Sequence, residues 1–325
     1  MKAIICDEFA PLSNLKYQDV PDPVPAADEV LIKVHACSVN FPDTLVVQGL
    51  YQFKPPFPFS PGSDVAGVIE SVGENVKHLK VGDEVIGMAP YGGFAEKIAM
   101  NSKVCFPKPP GMNMVNAASF LLAYGTSYHA LKDRANLQAG ETLLVLGASG
   151  GVGLAAVELG RQMGAHVIAA ASTAEKLSLC KEHGADELIN YSEENLKERV
   201  KELTNKKGVD VIYDPVGGDF TNPAIRTMAR KGRYLVVGFA AGEIPKIPLN
   251  LALLKECSIV GVFWGTFTQK EPKQNFQNVA QMVQWFHEGK LKPHIHGTYP
   301  LENAVQALED IAARKVKGKA VITMV

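Results

Sequence analysis

Two textures of apolar and polar residues divide the chain near Tyr124. Before it, short β-like runs recur at Glu29–Val39, Asp64–Val72, Asp83–Gly87 and Phe94–Met100. Turn signals at Pro61-Gly62, Val81-Gly82-Asp83 and Gly92-Gly93 separate them. Short strands at this spacing predict a small β-barrel or sandwich. After Tyr124, apolar strands alternate with helix-length stretches. Strands are predicted at Thr142–Gly147, His166–Ala171, Glu187–Asn190, Val209–Tyr213, Arg233–Val237 and Ser258–Phe263. Helices are predicted at Val152–Met163, Ala174–His183, Glu194–Thr204 and Phe220–Arg230. Six strands joined by crossovers describe an α/β doubly wound parallel sheet. The continuous apolar run Leu143–Leu146 fits a strand covered on both faces. Beyond Gly265 come a helix (Lys273–Glu288), a strand (Ile295–Tyr299), a helix (Glu302–Ala313) and a strand (Ala320–Met324). This tail is too short for a domain and is expected to complete the N-terminal one. The expected layout is residues 1–123 with 266–325 as one domain and 124–265 as the other.

Composition narrows the function classes. The 325 residues are 46% hydrophobic and 21% charged, with a net charge of −1. That is ordinary globular composition, and it offers no basic stripe for nucleic acid or an anionic membrane. No stretch reaches the ~18 apolar residues of a membrane span, and the N-terminus lacks a signal-peptide core. The five cysteines (Cys6, Cys37, Cys105, Cys180, Cys257) are scattered and form no CxxC. Neither a disulfide framework nor a zinc ribbon is expected, and a reducing cytoplasm is the expected home.

The sharpest motif is Gly147-Ala148-Ser149-Gly150-Gly151-Val152-Gly153, which follows a predicted strand and opens a predicted helix. Its glycines fall as GxxGxxG. One permits a tight turn, one lets backbone N–H groups approach a pyrophosphate, and one lets the helix pack closely on the sheet. The same letters spell G-x-S-x-G, which would make Ser149 a hydrolase nucleophile. That reading leaves the β-rich domain unexplained and finds no convincing histidine partner. At the end of the second strand stand Ser172 and Thr173, with Lys176 one helical turn on and no acid at the strand end itself. Hydroxyls and a cation suit the 2′-phosphate of NADPH better than the bare ribose of NADH. The plainer alternative is that Ser172 and Thr173 merely cap the next helix.

These residues, together with Val39-Asn40-Phe41-Pro42-Asp43, Gly49-Leu50-Tyr51, Pro61–Gly67, Val81–Val85, Tyr124-Gly125-Thr126, Asn190-Tyr191, Asp214–Gly218, Gly238-Phe239 and Gly318–Val321, carry a family likeness. The chain resembles the zinc-independent medium-chain dehydrogenase/reductases of the quinone oxidoreductase, zeta-crystallin-like branch. The resemblance implies a GroES-like catalytic domain built from both chain ends, a Rossmann domain between, and a cleft for the nicotinamide. It implies NADPH contacts at Thr126, Ser149, Gly150, Gly151, Val152, Ser172, Lys176, Tyr191, Phe239, Phe263 and Lys319. Tyr191 and Lys176 would face the 2′-phosphate. Phe239 and Phe263 have an alternative as core aromatics. Relatives are commonly dimers or tetramers, with Ser258–Phe263 a candidate edge for sheet extension.

Zinc members of the superfamily carry Cys and His where this chain has Asn40 and Ser63, so no metal is expected. His294-Ile295-His296 offers two imidazoles on one strand face but no third ligand. The expected chemistry is hydride transfer from NADPH to a quinone, with Asn40 and Tyr51 donating to the oxygen that gains charge and Asp43 orienting its neighbours. Asn40 and Asp43 have an alternative as a loop-stabilising pair. Many relatives have Arg where Val47 stands. An enoyl or 2-alkenal reductase acting on an activated C=C bond is the close rival, and it needs a proton relay through a tyrosine or water. A non-catalytic NADPH-binding protein is the third reading.

Overall fold

In the computed structural model, which describes residues 1–324, the two textures become two kinds of sheet. In chain order the first half forms β1 (Lys2–Ile5), β2 (Lys16–Asp19), β3 (Glu29–Val39), α1 (Phe41–Val47), β4 (Asp64–Val72), β5 (Glu84–Met88), β6 (Lys97–Asn101), β7 (Cys105–Pro107) and α2 (Met114–Ala118). Helix α3 (Leu121–Tyr128) carries the chain into the second half. There follow β8 (Thr142–Leu146), α4 (Gly151–Gln162), β9 (His166–Ala171), α5 (Ala174–Glu182), β10 (Glu187–Asn190), α6 (Leu196–Leu203), β11 (Val209–Asp214), α7 (Thr221–Ile225) and β12 (Met228–Val236). The remainder forms α8 (Asn250–Lys255), β13 (Ser258–Gly261), α9 (Trp264–Lys270), α10 (Pro272–His287), β14 (Ile295–Pro300), α11 (Ala304–Ala312) and β15 (Lys319–Thr323).

Two compact units result: Met1–Leu122 with the chain from Pro293 onward, and Ala123–Lys292. The first is GroES-like, with a seven-stranded sheet in which β14, β15, β3, β4, β5 and β7 are successive neighbours and β6 also pairs with β3. Its axis is β3. The first half of that strand alternates, burying Val30, Ile32 and Val34, as a strand with one wet face should. From Ala36 to Val39, where β4 pairs on one side and β15 on the other, every residue is buried. The chain's last strand thus seals the end of β3 that leads into Asn40.

The second unit is a Rossmann fold. Its six strands are all parallel and run β10-β9-β8-β11-β12-β13. Numbered from β8 this is the 3-2-1-4-5-6 order, whose reversal between β8 and β11 is where dinucleotides bind. Leu143, Leu144, Val145 and Leu146 are wholly buried, each worth about 1.5–3 kcal/mol relative to exposure.

Three sequence expectations give way here. The helix expected at Phe220–Arg230 stops at Ile225, because both the N–H and the hydroxyl of Thr227 return to the Ala224 carbonyl (2.8 and 2.7 Å) and β12 begins at Met228. The run from Phe94 is broken: Ala95 bridges Ala3 of the unforeseen β1, and β6 starts only at Lys97. The long helix α10 belongs with the Rossmann unit, so the chain's return comes at Pro293 rather than 266. Asn275 and Asn278 hold it there, accepting from Trp264 Nε1 (3.1 Å) and Lys132 Nζ (3.0 Å), while Trp285 packs edge-on against Tyr128.

Candidate active site

In the catalytic unit, the sealed end of β3 delivers Ser38 and then Asn40, which caps α1. Asp43 in the first turn of that helix reaches back, its carboxylate accepting the Asn40 N–H at 2.7 Å. This is one half of a capping box, and the loop-stabilising alternative is therefore part of the truth. The Asn40 side chain, however, faces away from the cap. Its Oδ1 accepts from the Lys319 ammonium, and its Nδ2 donates to Ser38 Oγ at 3.2 Å and, more weakly, to the Ser38 carbonyl at 3.4 Å. Ser38 Oγ in turn donates to Asp64 Oδ2 at 3.1 Å, which also accepts the Leu122 N–H at 3.4 Å. Ser38, Asn40, Asp43, Asp64 and Lys319 are all buried. Lys319, expected among the cofactor contacts, has its ammonium in this cluster.

Two carboxyls and one ammonium thus lie within reach of each other's charge, away from water. Burial pushes the Asp43 carboxyl up to about 7, against the downward pull of the Asn40 N–H and of Lys319. Asp64 is also pushed up to about 7, by burial against the pull of Lys319. Lys319 is lowered by burial, with the two acids resisting. Asp64 Oδ1 is buried with no hydrogen-bond partner. A carboxyl held near neutrality tolerates that better than a fixed charge. Tyr51, half-buried against the same core, has its phenol raised by burial and by the charge of Asp43, so it stays protonated and able to donate. Val47 is a core residue, 1% exposed, and brings no charge.

Among the described residues no cluster of three metal-ligating side chains exists. The residues at the superfamily's zinc position do not fit the ion. The one good donor atom, Asn40 Oδ1, already faces an ammonium, which would repel a second cation.

In the Rossmann unit, Gly147 leaves β8 at φ +57°, in the left-handed region glycine favours, and Gly150 caps α4. A Cβ on Gly153 would strike the Gly147 carbonyl oxygen, so the helix lies as close to the turn as backbone allows. The N–H groups of Gly151 and Val152 open a twelve-residue helix whose positive end suits an anion. Ser149 is buried. Across the switch point, Asp214 pins the 215–218 turn by accepting from the Val216 and Gly217 N–H groups at 2.8 and 2.9 Å. One strand over, Ser172 follows β9 and Tyr191 follows β10, and the register Asn190↔Ala171 puts both at the same sheet edge. Lys176 Nζ donates to Ser172 Oγ at 3.3 Å, while Thr173 caps α5 by accepting the Lys176 N–H at 3.3 Å. The capping and charge readings of this stretch therefore fall on different residues. Tyr191 packs on Phe220 with ring centroids 4.4 Å apart. Phe263, 57% exposed, is no core aromatic, whereas Phe239 is half-buried beside Gly217. Thr126 lies half-buried on α3.

Sequence reasoning missed Ser38 and Asp64 as members of the cluster. The available signal was an unbroken polar–acid pair at paired strand positions, Ser38↔Asp64, but pairing is visible only once the fold is known.

Comparison with known proteins agrees with both units. Residues 26–110 match the alcohol dehydrogenase GroES-like domain, and residues 151–285 match the family described as zinc-binding dehydrogenase. A quinone oxidoreductase-like protein 2 homolog of Nematostella vectensis is 40% identical over 296 residues, covering 90% of this chain and 81% of its own. The structure of Escherichia coli quinone oxidoreductase complexed with NADPH superposes with a TM-score of 0.93 at 26% identity, covering 99% of this chain and 100% of that one. A mycobacterial protein complexed with NADPH gives 0.93 at 31% identity, covering 99% and 100%. With a glycine cradle at the Rossmann switch point, a GroES-like unit whose zinc position is filled by an amide and an ammonium, and relatives of this kind over nearly its full length, the chain belongs to the quinone oxidoreductase branch of the medium-chain dehydrogenase/reductases.

Proposed function

We propose that this protein is an NADPH-dependent oxidoreductase that reduces a quinone. The observation that carries the cofactor assignment is the pairing of Lys176 Nζ with Ser172 Oγ at the end of β9, where an NAD-specific site would hold an acid. The residues fit the dinucleotide. The turn at 147–153 with the α4 N-terminus would hold the pyrophosphate, and Ser172, Lys176 and Tyr191 the 2′-phosphate. When bound, the cofactor supplies a hydride from C4. The chain's part is to position and stabilise. Asn40, giving up the weaker of its two Nδ2 contacts (3.4 Å to the Ser38 carbonyl), and Tyr51 donate to the acceptor oxygen as negative charge develops there, and Asp43 fixes the backbone from which Asn40 projects. An activated alkene also needs a proton at carbon. Of the two tyrosines that could supply it, Tyr124 is committed within the Rossmann unit, donating to Glu158 at 2.7 Å, whereas Tyr51 stays protonated and able to donate.

The working form we propose is a homodimer or homotetramer in the cytoplasm. The five cysteines are all free thiols, four of them buried, as suits a reducing compartment. The test is oxidation of NADPH and of NADH against a panel of quinones, enones and enoyl thioesters. The expected result is a kcat/KM favouring NADPH and quinones. Preference for NADH, or turnover of enones alone, overturns it.

A further inference from the structure

We infer that Ser38 and Asp64 are positioning residues that lock the Asn40 carboxamide in a single orientation by a one-way chain of hydrogen bonds, Lys319 to Asn40 to Ser38 to Asp64. The inference rests on the reading of Asn40 as donor to the acceptor oxygen. Each link follows from what its neighbour can do. An ammonium has only donors, so the Asn40 atom facing Lys319 must be the carbonyl oxygen. The amide nitrogen then faces Ser38, whose hydroxyl has to accept at 3.2 Å. Having accepted, that hydroxyl gives its own proton to Asp64 Oδ2 at 3.1 Å, an atom able to receive it. The chain ends there. A flipped amide would set its NH₂ against an ammonium and its oxygen against a hydroxyl already committed to Asp64. All four side chains are buried, so water is poorly placed to repair the mismatch, and unmade polar contacts are costly.

Consequently Asp64 acts on catalysis without touching substrate. Its cost in stability is retained because it gives Ser38, and through Ser38 the amide, a direction. Without that direction the carboxamide samples a second rotamer that offers an oxygen where the substrate needs a donor, a loss of preorganised stabilisation.

The test uses the full-length enzyme. Ser38→Ala should lower kcat on the order of ten-fold or more, as loss of one oriented donor does, with the NADPH titration close to that of the parent and the thermal midpoint lowered by the Asn40 and Asp64 contacts it leaves unmade. Ser38→Thr, which keeps the hydroxyl, should restore most of the rate. Asp64→Leu, which removes the acceptor of the Ser38 hydroxyl, should also be slower; it leaves the Lys319 ammonium less compensated, so its kcat is read on protein shown folded by circular dichroism. A structural role alone would not separate these readouts. A kcat in folded Ser38→Ala or Asp64→Leu within two-fold of the parent overturns the inference. If the parent reduces no quinone, the proposed function fails instead, and exchange of the Asn40 side-chain amide protons, read by NMR without turnover, decides the lock. They exchange slowly in the parent and faster in Ser38→Ala. Equal exchange overturns it.

Discussion

Asp43 and Asp64 each carry a carboxyl pushed up to about 7 by burial, well above the ~4 of an exposed aspartate. The sign of the stability effect follows from linkage. A folded pKa above the unfolded one means the native state binds more protons. Stability from these acids is fully present below about pH 4 and is lost as pH rises toward 7. Asp64→Asn should therefore flatten the fall of the thermal midpoint between pH 5 and 8, and stabilise by on the order of 2 kcal/mol at pH 8. Calorimetry over that range checks it, and parallel curves for parent and variant would refute it. A second residue-scale expectation concerns Gly153. Alanine there drives a methyl into the Gly147 carbonyl. It should cost about 1–3 kcal/mol as an overpacked contact and weaken NADPH association, measurable by fluorescence titration. At this scale the sequence was partly legible. The glycines and the Asn40–Asp43 spacing announce themselves because turn and cap chemistry is local. Lys319 was expected among the cofactor contacts, and its place against Asn40, 279 positions away, is not readable locally. Ser38 and Asp64 read as ordinary strand residues.

Among the elements, helix α4 has a function beyond its phosphate-facing end. Glu158, buried at its middle, accepts from Tyr124 OH on α3 at 2.7 Å, pairs with His183 after α5 at 2.6 Å, and accepts the Lys292 N–H at 3.1 Å where the Rossmann unit ends. One carboxylate thus joins three segments. Glu158→Ala should destabilise by about 3 kcal/mol, the cost of breaking a buried charged network, and urea denaturation would show it. A loss under 1 kcal/mol would mean the network is loosely held. Strands such as His166–Ala171 and Glu187–Asn190 were readable to the residue because they are short apolar runs bounded by turns. The end of α7 was not. Nothing in Ala-Ile-Arg-Thr-Met forbids helix, and the stop comes from the Thr227 back-bond. The membership of α10 was illegible for a similar reason, because its Asn275 and Asn278 contacts are tertiary.

For the molecule as a whole, β13 is the terminal strand of the Rossmann sheet, and the segment around it exposes Leu249, Leu253, Leu254, Ile259 and Phe263. An unpaired apolar edge invites a second copy. Ile259→Lys places a charge on that edge and should shift the protein to monomer in sedimentation velocity with NADPH binding retained. An unchanged sedimentation coefficient would exclude this edge as a contact between copies.

The route of the backbone through the two units bears on how the protein is made. β15, which flanks Ala36–Val39 and carries Lys319, is synthesised after every strand of the Rossmann sheet. A ribosome therefore completes the strands of the nucleotide-binding half first. The active-site half must wait, with one flank of its longest strand open, until β15 has been added.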